Sequence, residues 1–378
     1  MGYRVVSSAL LLIVCFFSVQ CGPDGISPAT MDQIRQAHVR MLTVDTHIDA
    51  ALNLFKPGWN IGERHSSRKA GGSRVDLPRM KEGGLDAVFF VVSVHQGDLG
   101  SKGHANARET ALRAIDQIKR MTEDHSRQIG LGLSPDDAYR LEKEEKLTAF
   151  IGLENGYAIG TDLLLIADYH AKGVRCLTLC GEADNAICDS ATDPANPEDR
   201  GLSDFGRMVV AECNRVGMII DVAHCSARSF SNVLALSRAP VIVSHSAARA
   251  LCDHPENLTD MMIRALAETG GVIQISFDPR QLTQLKPPDR ASVPDIVDHI
   301  DHVISLVGFG SVGIGSDLDG GGSVSGCRDV SEVLNITIEL LRRGNSEQAL
   351  EAIWGGNIMR VFKQVERIAK TSKGEKGA

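Results

Sequence analysis

Aromatic residues are scarce in this sequence of 378 residues, and basic residues are fewer than acidic ones. Phe, Trp and Tyr make up only 4% of the chain, so a surface that stacks nucleobases is not expected. Lys and Arg number 40 against 48 Asp and Glu, which leaves a formal net charge of −8. Because no excess of positive charge is present to neutralise phosphates, we expect no nucleic-acid partner.

The apolar run at the start of the chain is short for a membrane-spanning helix. It covers residues 5–19 behind Arg4, whereas a spanning helix needs about 20 apolar residues. Its position is typical of an export signal, which we place at residues 1–20. The letters SVQC, ending at Cys21, resemble a bacterial lipoprotein cleavage box with Cys21 as the lipidated residue; the alternative is an ordinary signal peptide. Either way we expect an exported protein, anchored by lipid to a bacterial membrane and facing the periplasm or the cell exterior.

The sequence has no C-x-x-C pair, which argues against a zinc knuckle built on cysteine. Seven cysteines follow Cys21, and this odd number leaves at least one thiol unpaired within a single chain. Cys176 and Cys213 fall in apolar runs, where cysteine packs as a small hydrophobic residue. Cys180 and Cys188 flank a predicted loop and could pair in an oxidising compartment, a point that the sequence leaves open.

Eight short apolar runs alternate with amphipathic helical segments along the chain. The runs are 41–46, 87–94, 148–153, 174–179, 218–223, 241–244, 272–277 and 312–315. Strands that are apolar almost throughout suit a parallel sheet covered on both faces. This alternation predicts an α/β fold, a (β/α)8 TIM barrel, as one domain over residues 28–370.

Beyond the eighth run, residues 330–369 predict extra C-terminal helices, with Ser346 as a helix N-cap after a break at Gly344. Residues 371–378 are polar and predict a frayed tail. A doubly wound open sheet is the rival architecture. It requires a Gly-rich phosphate loop after the first strand, but the chain has DTHID at residues 45–49 instead.

Imidazoles and carboxylates stand at the ends of these apolar runs, where a barrel of this type carries its chemistry. The residues are His47, Asp49, Glu154, His224, His245 and Asp317. Such groups are costly to bury unless they are paired or bound to metal. Any one of them alone is more often structural than functional, but their joint placement at predicted strand ends indicates a metal site.

The spacing of these residues suggests how two ions would be held. His47 and Asp49 are two residues apart and point the same way, which suits one ion. His224 and His245 come from adjacent strands and can meet on a second ion, while Glu154 could bridge both. Nitrogen and carboxylate ligands without thiolate suit two Zn²⁺ ions, with manganese or cobalt as substitutes.

Two ions held in this way would activate a bridging water, as hydroxide, and polarise a substrate carbonyl. Asp317 would then act as the general base for that water, and later as the acid that protonates the leaving amine. The substrate in this scheme is a small molecule with an amide bond.

Around these residues the chain resembles the membrane (renal) dipeptidase family, the M19 metallopeptidases with an amidohydrolase-like barrel. The matching stretches, in family order, are VDTHID (44–49), GLENG (152–156), GVRCLTL (173–179), GLSDFGR (201–207), MIIDVAHCS (218–226), SHSAAR (244–249) and GIGSDLDG (313–320). The resemblance implies a binuclear zinc centre, hydrolysis of dipeptides including L,D-dipeptides, and a homodimer.

The resemblance also implies a role for each site residue. His47 and Asp49 match the ligands of one zinc, and His224 and His245 match those of the other. The bridging carboxylate corresponds to Glu154. The family's catalytic aspartate corresponds to Asp317.

Two positions depart from the family pattern. Gly181 stands where the family usually has a histidine that helps to bind the scissile carbonyl. Glu256 stands where the family usually has an arginine that holds the substrate carboxylate. Three functions therefore stay open: a dipeptidase with altered recognition, another amide or lactone hydrolase on the same bimetallic site, or a catalytically weak, exported metal- or ligand-binding lipoprotein. In the first, Glu256 would meet a cationic or blocked end of the substrate, or Arg249 or Arg280 would take over the carboxylate.

Overall fold

The computed structural model describes residues 28–67, 72–195, 198–284 and 290–374. The predicted signal peptide and Cys21 lie outside these residues. Among the helices of the described segments, none is both long enough and apolar enough to span a bilayer.

Parallel strands form the centre of the molecule. The strands are β1 (Val44–Ile48), β2 (Ala87–Ser93), β3 (Ile129–Leu131), β4 (Leu147–Glu154), β5 (Val174–Thr178), β6 (Ile219–Asp221), β7 (Ile242–Ser246), β8 (Val272–Ile275) and β9 (Val312–Ile314). Eight of them pair in the order β1-β2-β4-β5-β6-β7-β8-β9, and β3 pairs only with β4. All of these pairings are parallel.

Helices connect the strands and surround them. They are α1 (Pro28–Val39), α2 (Leu77–Gly83), α3 (Ser101–Asp124), α4 (Pro135–Lys143), α5 (Leu164–Ala171), α6 (Asp204–Val216), α7 (Ala227–Leu236), α8 (Asp260–Glu268), α9 (Pro279–Leu282), α10 (Val293–Val307), α11 (Leu334–Arg342), α12 (Glu347–Glu351) and α13 (Asn357–Gly374). A π-helical turn, Ala352–Gly356, joins the last two. Phe362 of α13 packs edge-on against Phe150 of β4, so the C-terminal helices pack onto the barrel.

Side-chain and backbone hydrogen bonds bring the first and last strands together. The Thr46 hydroxyl donates to the carbonyl oxygens of Ser244 and Ile314 across the barrel. Asp317 N–H donates to the carbonyl of His47, and Asp49 N–H donates to that of Leu318. The predicted (β/α)8 barrel of the metal-dependent hydrolase type, with extra C-terminal helices, is therefore confirmed as a nearly closed barrel.

The boundaries differ from the sequence prediction mainly at strand ends. β1 and β7 extend to Ile48 and Ser246, past the predicted ends at residues 46 and 244, and β3 was not predicted. Ser346 caps α12 as predicted by accepting from Ala349 N–H. The last helix continues to Gly374, into the predicted polar tail, and residues 375–378 lie outside the described segments.

Candidate metal centre

The structure brings all six predicted site residues together at the carboxyl ends of the barrel strands. His47 and His245 lie within β1 and β7, and Glu154 is the last residue of β4. The other three, Asp49, His224 and Asp317, follow β1, β6 and β9 within three residues. A cavity of about 620 Å³ opens onto five of them, with His47 buried behind. The arrangement is the one that the strand-end argument predicts.

Glu154 lies between two groups of histidines. Its Oε1 is 2.9 Å from Nε2 of His224, and its Oε2 is 3.8 Å from Nε2 of His47. Nε2 of His224 in turn lies 3.0 Å from Nε2 of His245. One carboxylate thus presents each of its oxygens to a different histidine group, which is the geometry that a bridging ligand needs.

On the side of β1, two carboxylates share a small space with one imidazole. Nε2 of His47 is 3.6 Å from Oδ2 of Asp49, and ligand atoms of His47, Asp49 and Asp317 all lie within 4.8 Å of one another. His47 and Asp49 thus offer a nitrogen and an oxygen donor that suit a divalent metal ion without thiolate ligands, and the Asp317 carboxyl lies beside them.

The pKa values in this cluster are shifted in opposite directions. Burial alone would lower the pKa of His47, but its hydrogen bond to Asp49 and the charge of Glu154 raise it to about 10. Burial and the charge of Asp49 hold the pKa of Asp317 well above its usual range. Burial and the charge of His47 hold the pKa of His245 well below its usual value. Crowded carboxylates and a neutral imidazole are an environment that favours the binding of a cation.

A buried serine and a buried aspartate position two of the imidazoles. Ser244 donates its hydroxyl to Oδ2 of Asp221 at 2.6 Å. The same hydroxyl oxygen lies 2.9 Å from Nδ1 of His245 and 3.3 Å from Nδ1 of His47. Because the Ser244 hydroxyl donates its hydrogen bond to Asp221, its oxygen can only accept from the two rings, so each Nδ1 carries a proton and each Nε2 is the nitrogen that could face a metal ion.

Glu256 plays the same part for the third imidazole. Nδ1 of His224 lies 2.6 Å from Oε1 of Glu256, and Gln281 donates to Oε2 of Glu256 at 3.1 Å. Burial would raise the pKa of Glu256, but the hydrogen bond from His224 lowers it to about 2. The carboxylate is therefore charged and engaged on both oxygens, and it orients His224 with Nε2 toward Glu154.

The backbone is strained at two of the site residues. His224 and Asp317 adopt φ angles of 63° and 58°, in the left-handed region that non-glycine residues rarely occupy. Such positions persist where the surrounding structure holds them, and they concentrate at functional sites. Here the turns aim both side chains into the cavity.

Sequence reasoning did not identify Asp221, Ser244 or the present contact of Glu256. Asp221 and Ser244 lie close in the sequence to the predicted ligands His224 and His245. This proximity is the feature of the sequence that could have pointed to them. Asp319, which lies two residues after Asp317 in the segment that follows β9, has a different role. It accepts from Arg74 N–H at 2.6 Å, from the Ser73 hydroxyl and from the Asn53 amide, and so anchors the segment around residue 73.

Comparisons with known proteins agree with this geometry. The family model for membrane dipeptidases, peptidase family M19, matches residues 31–376. The chain belongs to the membrane dipeptidase family. The prediction of an M19 metallo-dipeptidase is therefore confirmed at the level of the family.

Relatives of this M19 dipeptidase include curated proteins and solved structures. The chain is 36% identical to dipeptidase tcpJ of Claviceps purpurea over 84% of its own length and 75% of that protein. It is 33% identical to human dipeptidase 3 over 92% of its length and 71% of that protein. The crystal structure of the probable dipeptidase PvdM from Pseudomonas aeruginosa matches 90% of this chain and 100% of that one, at 28% identity and a TM-score of 0.84.

In this M19 dipeptidase, a smaller cavity of about 270 Å³ lies beside Gly181, at one of the two positions that depart from the family pattern. His95, from the end of β2, lines this cavity together with Glu154 and His224. An imidazole from a different strand therefore faces the space next to Gly181.

At the second departure, Glu256 stands in place of the arginine that binds the substrate carboxylate in the family. Two nearby arginines, Arg249 and Arg280, are the candidates to replace it. Arg249 donates to the backbone carbonyls of His254 and Pro255 and is not among the residues that line the large cavity. Arg280 lines that cavity, and its guanidinium pairs with Asp278 at 2.5 Å while staying 69% exposed. Of these two arginines, only Arg280 is placed to meet a substrate.

Proposed function

We propose that this M19 dipeptidase hydrolyses dipeptides at a binuclear zinc centre. His47 and Asp49 would hold one ion, His224 and His245 would hold the other, and Glu154 would be shared between them. The observation that carries the proposal is the placement of Glu154, whose two oxygens face His224 and His47 separately. The bound ions would supply an activated water and polarise the scissile carbonyl.

Asp317 moves the protons in this scheme. Its carboxyl lies within 4.8 Å of the ligand atoms of His47 and Asp49 and faces the cavity. It takes a proton from the attacking water and later delivers a proton to the leaving amine. Burial and the charge of Asp49 raise the pKa of this carboxyl, which makes it a stronger base for the proton of the water.

Arg280 takes the substrate carboxylate in place of the family arginine. Its guanidinium stands on the wall of the cavity that holds the metal ligands, and it retains exposed donors beyond its pair with Asp278. Arginine binds carboxylates through two parallel hydrogen bonds. Glu256 is already engaged by His224 and Gln281, so it does not need a cationic substrate group as its partner.

His95 takes the place of the missing histidine as the group that meets the scissile carbonyl. It lines the cavity beside Gly181 that also opens onto Glu154 and His224. A hydrogen bond to the developing oxyanion contributes most in the transition state, so a His95→Asn variant should lower kcat more than it raises KM.

A second candidate, another amide or lactone hydrolase, is favoured by the same two departures at Gly181 and Glu256. The test uses purified protein loaded with zinc, with the zinc content per chain measured and three substrate sets assayed. These are L,L- and L,D-dipeptides, the same dipeptides as C-terminal amides, and N-acyl amino acids with lactones. A dipeptidase that uses Arg280 prefers the free acids over the amides, and Arg280→Gln abolishes that preference.

The other outcomes are equally distinct. Turnover of lactones or N-acyl amino acids without dipeptides would favour the second candidate. The protein could bind two zinc ions and turn over no substrate, with Asp317→Asn giving the same result. That outcome would favour the third function, a metal- or ligand-binding lipoprotein. A zinc content below one per chain would contradict the site itself.

Export and lipid attachment at Cys21 form part of the same proposal. The supporting observation is the apolar run over residues 5–19 with the SVQC box. Metabolic labelling with a fatty acid in a bacterial host should mark the wild-type chain and leave Cys21→Ala unlabelled. A chain that stays unlabelled and is secreted in soluble form would indicate an ordinary signal peptide.

A further inference from the structure

Three cysteines from the segments that follow β5 and β6 meet beside the histidine–carboxylate site. Sγ of Cys225 lies 3.9 Å from Sγ of Cys180 and 3.9 Å from Sγ of Cys188, and all three sulfurs lie within 4.8 Å of one another. All three side chains are buried, and Cys225 keeps the largest exposure, 7%. None of them belongs to the set of nitrogen and oxygen donors described above.

The surrounding backbone holds the three thiols, here called the thiol cluster, in place. Cys180 lies two residues after β5, and Cys225 follows His224 after β6. The loop that carries Cys188 is fixed to the end of β6 by hydrogen bonds from Ala191 N–H to the His224 carbonyl and from Ser226 N–H to the Asp189 carbonyl. The sulfurs are therefore arranged by the barrel rather than by a flexible segment.

The size of the sulfur triangle matches a metal–thiolate site. A point equidistant from the three sulfurs lies about 2.3–2.5 Å from each, close to the zinc–thiolate bond length of about 2.3 Å. Thiolates select soft ions such as Cu(I) and zinc. Structural zinc almost always takes four ligands, whereas Cu(I) is satisfied by three sulfurs.

Donor groups next to the cluster already make hydrogen bonds to other residues. In the described part of the chain, the cluster therefore offers three ligands. The imidazole of His224, the residue next to Cys225, has both nitrogens engaged by Glu154 and Glu256. The Ser229 hydroxyl donates to the Asp189 carbonyl. A fourth ligand for zinc is therefore not supplied by these neighbours.

We propose that Cys180, Cys188 and Cys225 form a three-coordinate site for a soft, thiophilic cation, namely Cu(I), separate from the histidine–carboxylate centre. The site is independent of the proposed dipeptidase reaction. An ion bound there would stabilise the loop over 181–194, which carries Glu182, Ala183, Thr192 and Pro194 of the large cavity.

The test adds Cu(I) to zinc-loaded, reduced protein under anaerobic conditions, in competition with a Cu(I) chelator. We expect one copper per chain, ultraviolet absorption from thiolate-to-copper charge transfer, and X-ray absorption showing three sulfur neighbours. Cys188→Ala should weaken copper binding about tenfold or more, because loss of a ligand costs at least as much as loss of a group behind one. Cys176→Ala, which removes another buried thiol outside the cluster, should bind copper like wild type.

Other results would overturn the site. These are no copper beyond the histidine centre, the same affinity in Cys188→Ala as in wild type, or zinc bound at the cluster in preference to copper. A disulfide within the cluster of the protein as purified, before any reductant is added, would do the same. The X-ray absorption measurement uses the wild-type protein, so it stands even where a cysteine variant folds poorly, and zinc content and dipeptide turnover report separately on the proposed function.

Discussion

His224 donates from Nδ1 to Glu256 and presents Nε2 to Glu154, at 2.6 Å and 2.9 Å respectively. A carboxylate behind a metal-binding histidine fixes the tautomer and makes the ring a better ligand. In Glu256→Gln the hydrogen bond can remain while the charge is lost. We expect the affinity for the ion at His224 to fall about 10- to 100-fold, measured by competition with a chelator.

The matched control for this prediction is Glu182→Gln. Glu182 lines the same large cavity but is exposed, and the hydrogen bonds and ion pairs of the His224 ring in the described residues go to Glu154, Glu256 and His245 instead. The Glu182→Gln variant therefore removes an equal charge while the hydrogen bonds of the His224 imidazole stay the same. Equal losses in both variants would mean that the general field of the cavity, rather than the contact with His224, sets metal affinity.

Asp317 and Asp319 provide a second matched pair, because both have positive φ angles, 58° and 70°. Asparagine tolerates this backbone region, so Asp→Asn changes the charge at each position with little strain. We expect Asp317→Asn to lower kcat about 10²- to 10⁴-fold with unchanged zinc content, because a general acid–base group is lost. Asp319→Asn should instead lower the melting temperature, since Asp319 anchors Ser73 and Arg74.

The histidines and carboxylates of the site were visible in the sequence because each interrupts or follows an apolar strand. Glu256 was visible only as a departure from the family pattern. Its contact with His224 joins residues 32 positions apart, and loop conformation decides such contacts. The strand ends at Ile48 and Ser246 were underestimated because polar residues interrupt the apolar pattern while the backbone continues to pair. β3 is no shorter than β6, but glycines alternate with its apolar residues over 129–133, so it does not lie in a continuous apolar run.

Removal of the metals should destabilise the protein. Ions that bind only the folded state stabilise it by mass action, by about 2.7 kcal/mol at a free concentration 100 times the dissociation constant. We therefore expect a chelator to lower the melting temperature, and zinc to restore it. Because protons compete with metal for the same histidines and carboxylates, the difference between loaded and chelated protein should shrink as the pH falls. A melting temperature indifferent to chelator would contradict a metal centre.

Asp86 predicts a pH dependence away from the metal site. Burial raises its pKa to about 6, despite hydrogen bonds from the Thr43 backbone and hydroxyl. In the unfolded chain the carboxyl has its ordinary value of 3.8. Between about pH 4 and 6 the folded state thus binds more protons, so this group makes stability fall as the pH rises through that window.

Asp86→Asn should remove this contribution. The variant's free energy of unfolding, measured with urea at several pH values, should fall less, or rise more, than that of wild type as the pH rises from about 4 to 6. Asp124→Asn, at an exposed acid at the end of α3, is the control and should follow wild type. The same slope in Asp86→Asn and wild type would show that Asp86 titrates normally in the folded protein.

Gly355 in the π-helical turn fits closely against the start of the barrel. A Cβ atom at this position would overlap the backbone carbonyl of Leu42, whereas one at Gly310 would meet no atom within 4 Å. We expect Gly355→Ala to cost about 1–3 kcal/mol in urea unfolding, as overpacking usually does, and Gly310→Ala to stay within about 0.5 kcal/mol. Because Leu42 lies two residues before β1, its displacement should also move His47, so Gly355→Ala should bind zinc more weakly. A lower free energy of unfolding with unchanged zinc affinity would mean that the displacement of Leu42 is accommodated within β1 and does not reach His47.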